Sequence, residues 1–223
     1  DEIISNSDGI MVARGDLGVE LPLERVPLIQ KDVIKKASQA SKPVIIATQI
    51  LDSMTERPVP TRAEVSDIAN AILDGADTLM VTGETAAGKH PEKVIKVLKR
   101  VIKETEYAID YNEFYIEPDI ENINTARAIS HAACSVVQDQ GIKVLVTMTH
   151  SGSTARMAAR YRPDARIIAM TPKNETCRQL SIVWGVSSIL VDNYTSSNEI
   201  PDLANKVLNE KKILKKDEKY VIT

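Results

Sequence analysis

Three short apolar runs end in residues able to do chemistry: MVARGD (11–16), IIATQ (45–49) and MVTGE (80–84). A segment of helical period follows each one. Repeated strand–helix units of this kind carry polar groups to one rim of a sheet or barrel, because every strand ends on the same side. Asp16 stands between Gly15 and Gly18, so its carboxylate can reach a hard cation while the neighbouring amides face an anion. An Asp beside Gly also makes an ordinary Asx-turn, and it is the rim shared with the other two strand ends that favours chemistry. Thr48 and Gln49 follow the apolar run VIIA; the Thr48 hydroxyl can bond a carboxylate, join a proton relay, or cap its own turn.

Two other segments suit anions. GETAAGK (83–89) nearly spells the phosphate-cradling GxxxxGK[ST] loop, but His90 replaces the metal-binding hydroxyl and Pro91 removes a backbone donor, so we read it as a decoy. In TMTHSGST (147–154), Thr149, Ser151, Gly152, Ser153 and Thr154 gather hydroxyls and amides between a strand and a helix, a combination that holds phosphate. Plain capping of that helix by Ser151 or Ser153 is the alternative. Arg156 either adds charge there or lies on a solvated face. His90, His131 and His150 share no metal-ligand spacing. Trp184, the single Trp, reads as a packing anchor at a strand entry.

The elements that must position these residues alternate along the chain. Strands are expected at 9–13 (buried), 44–47 and 78–81. Helices are marked by Val26, Ile29, Val33 and Ala37, by the capping box Thr61/Glu64 running to Asp74-Gly75, and by Pro91 at a first helical position. Residues 112–124 are acidic, aromatic and Pro-containing without a usable period, which marks a domain boundary. Beyond it come a helix through Ala126 to Val137, strands at 144–148, 167–170, 186–191 and 220–222, and a helix including 203–208. This alternation predicts an α/β protein with a mainly parallel sheet and right-handed crossovers.

Composition narrows the partners. With 223 residues, 43% of them hydrophobic, and a net charge of −3, the chain is expected to be a soluble globular protein with no broad attraction to nucleic acid or a membrane surface. Small molecules or other subunits remain. Cys134 and Cys177 have neither CxxC spacing nor a dense framework, and they read as reduced thiols of a cytoplasmic protein.

The segments MVARGDLGVELPLERVPLIQKDVI, KPVIIATQILDSM, RPVPTRAEVSDIANAILDGADTLMVTGETAAGKHP, YRPDARIIAMTP and LSIVWGV together resemble the pyruvate kinase family. The resemblance implies the last three βα units of a TIM (β/α)8 barrel over 1–111, a linker over 112–124 and a three-layer α/β C-terminal domain over 125–223. It implies phosphoryl transfer from phosphoenolpyruvate to ADP, giving ATP and an enolate that is protonated to pyruvate. Carried over by motif, Asp16 is a ligand of Mg2+ (or Mn2+). The amides of Gly15 and Asp16, with the Thr48 hydroxyl, hold the substrate carboxylate. Arg14, Thr82 and Glu84 line the same rim, with Arg14 among the substrate-binding residues and Thr48 and Thr82 as the catalytic hydroxyls; the family often has Ser in place of Thr82. Residues 149–154 are similar to a loop that binds a phosphate of an allosteric effector. K+ and a homotetramer are implied as well, with the helix after Thr61 near one interface and the C-terminal domain at another.

The chain opens on Asp1 and stops at Thr223 within an expected strand, and three βα units do not close an eight-stranded barrel. The family's Lys-Ile-Glu strand, potassium ligands, early-strand arginine and lid domain have no counterpart here. The expectation is therefore a fragment that is inactive alone. An isolated phospho-ligand-binding or assembly module is the alternative. A different metal-dependent barrel enzyme acting on pyruvate-like acids is opposed by YRPDARIIAMTP and LSIVWGV.

Overall fold

The computed structural model describes residues 1–111, 124–194, 196–215 and 218–223; of the expected linker, only Asn124 lies within them. The chain divides into two compact units, Asp1–Asp110 and Tyr111–Thr223.

The first unit runs α1 (Glu2–Ser5), β1 (Ile10–Ala13), α2 (Arg14–Glu20), α3 (Val26–Gln39), β2 (Val44–Ala47), α4 (Arg62–Leu73), β3 (Thr78–Met80), α5 (Gly83–Ala86) and α6 (Pro91–Ala108). Its three strands pair in parallel in the order β1-β2-β3, with Ala13 beside Ala47 and Ala47 beside Met80. Val12, Val44 and Ile46 alternate onto one face and pack with Ile34 of α3, Ile68 of α4 and Val94 and Leu98 of α6.

Local signals account for the helix ends. Thr61 Oγ1 accepts from the Glu64 amide, while the Glu64 carboxylate accepts from the Thr61 amide at 2.7 Å, completing the capping box. Glu64 also accepts from the amide of Ser53 at 2.7 Å and from its hydroxyl at 2.6 Å. Burial pushes its carboxyl up, but the bonds from Ser53 and Thr61 outweigh this and hold it below the usual range. Gly75, at φ +98°, takes the left-handed turn just after α4 that a side chain would strain. Pro91 opens α6, as its spacing predicts.

The expectation of a buried first strand needs correction. Only Val12 of β1 is buried, and Met11 is 53% exposed. The reason is that helices cover one face of this three-stranded sheet, whereas the strands of a closed barrel are covered on both.

The second unit contains α7 (Thr125–Asp139), β4 (Val144–Met148), α8 (Ser153–Ala159), β5 (Arg166–Thr171), α9 (Asn174–Leu180), β6 (Val186–Leu190), α10 (Ile200–Glu210) and β7 (Val221–Ile222). The strands form one parallel sheet in the order β6-β5-β4-β7. Leu145, Ile167 and Ala169 pack with α7, α8 and α9, while Val144, Val146, Ile168 and Met170 pack with Ala204 and Leu208 of α10. Three layers result, and the near-continuous apolar runs of β4 and β5 are what a doubly covered parallel sheet requires. Thr223 extends the β7 pairing, donating to Val146 O at 3.0 Å and accepting from the Met148 amide at 2.8 Å.

Both cysteines are free; burial pushes the Cys134 thiol up to about 12, and Cys177 is half-buried. Trp184 is half-buried rather than deep in the core, with the Arg162 guanidinium 4.8 Å above its ring and Tyr111 6.1 Å away. Among the described residues no helix is long and apolar enough to cross a membrane.

In the second unit β4 and β5 are paired on both sides and buried on both faces, whereas β1 and β3 are edge strands. Amide hydrogen exchange of the chain should therefore be slower in Val144–Met148 and Arg166–Thr171 than in β1 and β3. Slower exchange in the first unit would contradict this account of where the structure is held.

Candidate active site

Parallel pairing in register brings the C-terminal ends of β1, β2 and β3 to one rim. The end of β1 does not form the Asx-turn that an Asp beside Gly also makes. It passes directly into α2, placing Gly15 and Asp16 in a first helical turn. Gly15 and Gly18 give this stretch poor helix propensity, which hides it from a sequence reading. The Asp16 side chain is exposed.

Thr48 and Gln49 adopt φ of +67° and +54°, two consecutive side-chain-bearing residues in the left-handed region. Arg14 holds that turn. Its Nη2 donates to the carbonyls of Thr48 at 2.9 Å and Gln49 at 3.1 Å, and its Nη1 pairs with Asp67 on α4 at 2.5 Å. The strained turn aims the Thr48 hydroxyl across the rim: Oγ1 accepts from the Gly15 amide at 2.8 Å and donates to Ala47 O at 2.6 Å. The structure thus brings Arg14, Gly15 and Thr48 into direct contact, with Asp16 next in the chain. An open cavity of about 270 Å³ adjoins them, lined by Arg14, Gln30, Gln49 and Asp67 with the apolar Leu23 and Val26.

Thr82 and Glu84 follow the third strand, Thr82 just before α5 and Glu84 within it. Glu84 is buried; its Oε1 accepts from the Leu51 amide at 3.1 Å and its Oε2 from the Thr82 amide at 2.8 Å. The GETAAGK segment is thereby accounted for. It forms the one-turn helix α5, and its Lys89 pairs with Glu56. Sequence reasoning missed Asp67 as the partner of Arg14 and Leu51 as the partner of Glu84. Only a charged residue on the inner side of α4 and a carboxylate among small residues hinted at them.

Thr149–Thr154 lies in the second unit. Gly152, at φ +80°, is the residue preceding α8, and Ser151 Oγ accepts from the amide of Ser153, the first residue of that helix, at 3.4 Å, so Ser151 supplies part of the capping expected there. Thr149 is buried and accepts from the Gly152 amide at 2.9 Å, closing the turn on itself. Ser151 and Ser153 are exposed with their hydroxyls 3.1 Å apart, and Arg156 donates to Ser151 O at 3.2 Å.

Comparison with known proteins places this geometry. The family model for the pyruvate kinase barrel domain matches residues 1–95, and that for the pyruvate kinase alpha/beta domain matches residues 127–223. The chain belongs to the pyruvate kinase family. It is 47% identical to the pyruvate kinase of Thermotoga maritima over all 223 residues, covering 47% of that protein. Against the pyruvate kinase of Clostridium acetobutylicum it is 48% identical over 201 residues, which is 90% of this chain and 42% of the relative. A crystal structure of a pyruvate kinase from Cryptosporidium parvum superposes with a TM-score of 0.91 at 38% identity, covering 99% of this chain and 45% of that one. The chain spans a little under half the length of these pyruvate kinases. Its first unit carries barrel-domain strands and its second the α/β domain of the family.

The Arg14 fork gives a direct test. A lysine keeps the charge but cannot bridge Asp67 and two carbonyls at once, so Arg14→Lys should lower stability by roughly 1–3 kcal/mol. Denaturant unfolding measures it, and an unchanged midpoint would show that the fork does not hold the turn.

Proposed function

We propose that this chain supplies one side of the substrate site of a pyruvate kinase, which transfers the phosphoryl group of phosphoenolpyruvate to ADP and releases pyruvate and ATP. The observation that carries this reading is the 2.8 Å contact between the Gly15 amide and the Thr48 hydroxyl. The Gly15 amide and the Thr48 hydroxyl meet from adjacent strand ends at one point of the rim, and a substrate carboxylate entering there takes up the Gly15 and Asp16 amides in place of the Gly15–Thr48 bond and the Thr48 O–H in place of its bond to Ala47 O. Thr48 and Thr82 are the hydroxyls suited to pass a proton to the enolate. Arg14, expected among the substrate-binding residues, fixes the Thr48 turn through Asp67 and two carbonyls at the edge of this site.

Asp16 offers one exposed carboxylate. That suits Mg2+ or Mn2+, which bind one or two protein carboxylates and complete their shell with substrate oxygens and water. Among the described residues no group of three or more His, Cys, Asp or Glu side chains could hold a metal alone. A cation at Asp16 would supply charge neutralisation for the transferring phosphoryl oxygens. K+ is part of the same reading and is assigned no residue here. A homotetramer and a cytoplasmic location also belong to it.

The chain by itself should not complete the reaction. Phosphoryl transfer depends on positioned charge, yet Arg14 is engaged by Asp67 and two carbonyls and Glu84 by backbone amides, which leaves the Asp16 carboxylate as this rim's exposed charge. Purified chain given phosphoenolpyruvate, ADP and Mg2+ should show no turnover above background, and robust turnover would overturn this statement. In a longer, active protein containing the chain, Asp16→Ala should lower kcat/KM by roughly 100-fold or more. An unaffected rate would remove Asp16 from the site.

Residues Thr149, Ser151, Gly152, Ser153 and Thr154 are proposed to bind a phosphate of a phosphorylated effector. The reading is supported by the exposed pair of serine hydroxyls beside Arg156. Titration with a sugar bisphosphate should shift amide resonances in this turn, and Ser151→Ala with Ser153→Ala should weaken the response about tenfold. Shifts confined to other residues would leave the turn structural.

A further inference from the structure

Glu84 is an acidic side chain only 3% exposed that the proposed reaction does not use. Its two oxygens accept from Leu51 and Thr82, and the amides of Ile50 and of Glu84 itself also lie against the carboxylate. Leu51 lies three residues beyond Thr48 in the turn after β2, and Thr82 opens the turn after β3. One side chain therefore joins the two turns that carry the hydroxyls named above. The surrounding backbone is fitted to it: a Cβ at Gly88 would sit 2.3 Å from the Glu84 carbonyl oxygen, and the next amide, of Lys89, donates to Thr55 O at 2.8 Å.

We propose that Glu84 is a positioning residue whose carboxylate, bonded to the amides of Leu51 and Thr82, locks the Thr48 turn to the Thr82 turn and takes no part in proton transfer. The roles of Thr48 and Thr82 rest on the proposed pyruvate kinase reading; the lock itself does not. The chemistry follows from donor and acceptor counts. An ionised carboxylate is acceptor-only and matches N–H groups on both oxygens, whereas a protonated one would set its O–H against an N–H. Burial pushes the Glu84 carboxyl up, but the converging amides outweigh it and hold it below its ordinary 4.5. The folded value being lowered, its stabilisation is complete above the unfolded value and is lost as pH falls through the folded one. At neutral pH Glu84 has no proton to give. The amides of Thr85 to Lys89 donate to the carbonyls of Thr82, Gly83 and Thr55, which is why the GETAAGK loop does not serve as an anion cradle.

The first measurement needs no turnover. In the 223-residue chain, the carboxyl carbon of Glu84 followed by NMR against pH should titrate below 4.5, and a midpoint at or above that value overturns the proposal. Glu84→Gln mimics the protonated acid and places an amide N–H2 against a backbone donor. Hydrogen exchange at Leu51 and Thr82 should then accelerate by roughly tenfold or more at pH 7; unchanged protection also overturns it. In a longer, active protein assayed with phosphoenolpyruvate, ADP and Mg2+, Glu84→Gln should lower kcat about tenfold while both limbs of the pH profile stay in place. An unchanged kcat removes the positioning role. A shifted or missing limb makes Glu84 a proton carrier and sinks the proposal. If the unmodified protein does not turn over phosphoenolpyruvate, the functional reading fails, and the titration and exchange data still decide the lock.

Discussion

Parallel pairing in register is the constraint on which the candidate site depends. Because Ala13, Ala47 and Met80 stand side by side across β1, β2 and β3, three chain segments more than thirty residues apart leave the sheet together, with strand spacing of about 4.8 Å. A shift of β1 by one residue against β2 would turn Val12 away from the helices and would move the Gly15 amide off the Thr48 hydroxyl. The apolar face that packs on α3, α4 and α6 thus sets the chemistry at the strand ends. Core burial and site geometry are one condition here, not two.

Above that sheet, charged side chains act on backbone as well as on one another, as Arg14 does on Asp67. Arg14 binds two carbonyls of a left-handed turn and Glu84 binds amides of two turns, while Glu64 receives the amides of Ser53 and Thr61. Each compensates a largely desolvated charge with donors or acceptors that cannot swing away, so the loops of the rim are fixed without a hydrophobic cover. Two consecutive residues with positive φ would be unfavourable in an unrestrained loop. They persist because the Arg14 fork over-determines them, and the result is a hydroxyl aimed at the neighbouring strand.

The second unit solves a different problem. Its sheet is covered on both faces, by α7, α8 and α9 on one side and α10 on the other, and alternate residues of β4 and β5 belong to separate cores. Its polar turn at Thr149–Gly152 is closed by a buried threonine, leaving the two serines outside. A rigid base beneath exposed hydroxyls is the arrangement that a small anion can use without reorganising the sheet.

Much of this architecture is legible in the residues themselves. Hydrophobic period located the strands to within a residue or two, because a buried parallel strand needs an apolar run and its following helix a 3.6-residue stripe. Thr61 with Glu64, Pro91 and Gly75 marked helix ends through contacts made within a few positions of each other. The motifs at Asp16, Thr48 and Thr82 likewise sit where the strands end. Burial of β1 was misjudged, since its sequence does not say how many faces are covered. Helix α2 escaped notice because two glycines mask it. The partners of the rim charges were invisible for a plainer reason: Arg14 meets Asp67 across 53 positions and Glu84 meets Leu51 across 33. Local sequence determines which groups arrive at the rim, since propensity, capping and period act over a few residues. Which of those groups stay free for a ligand and which are consumed in holding the turns was decided only when the strands paired, because that pairing alone sets the long-range distances.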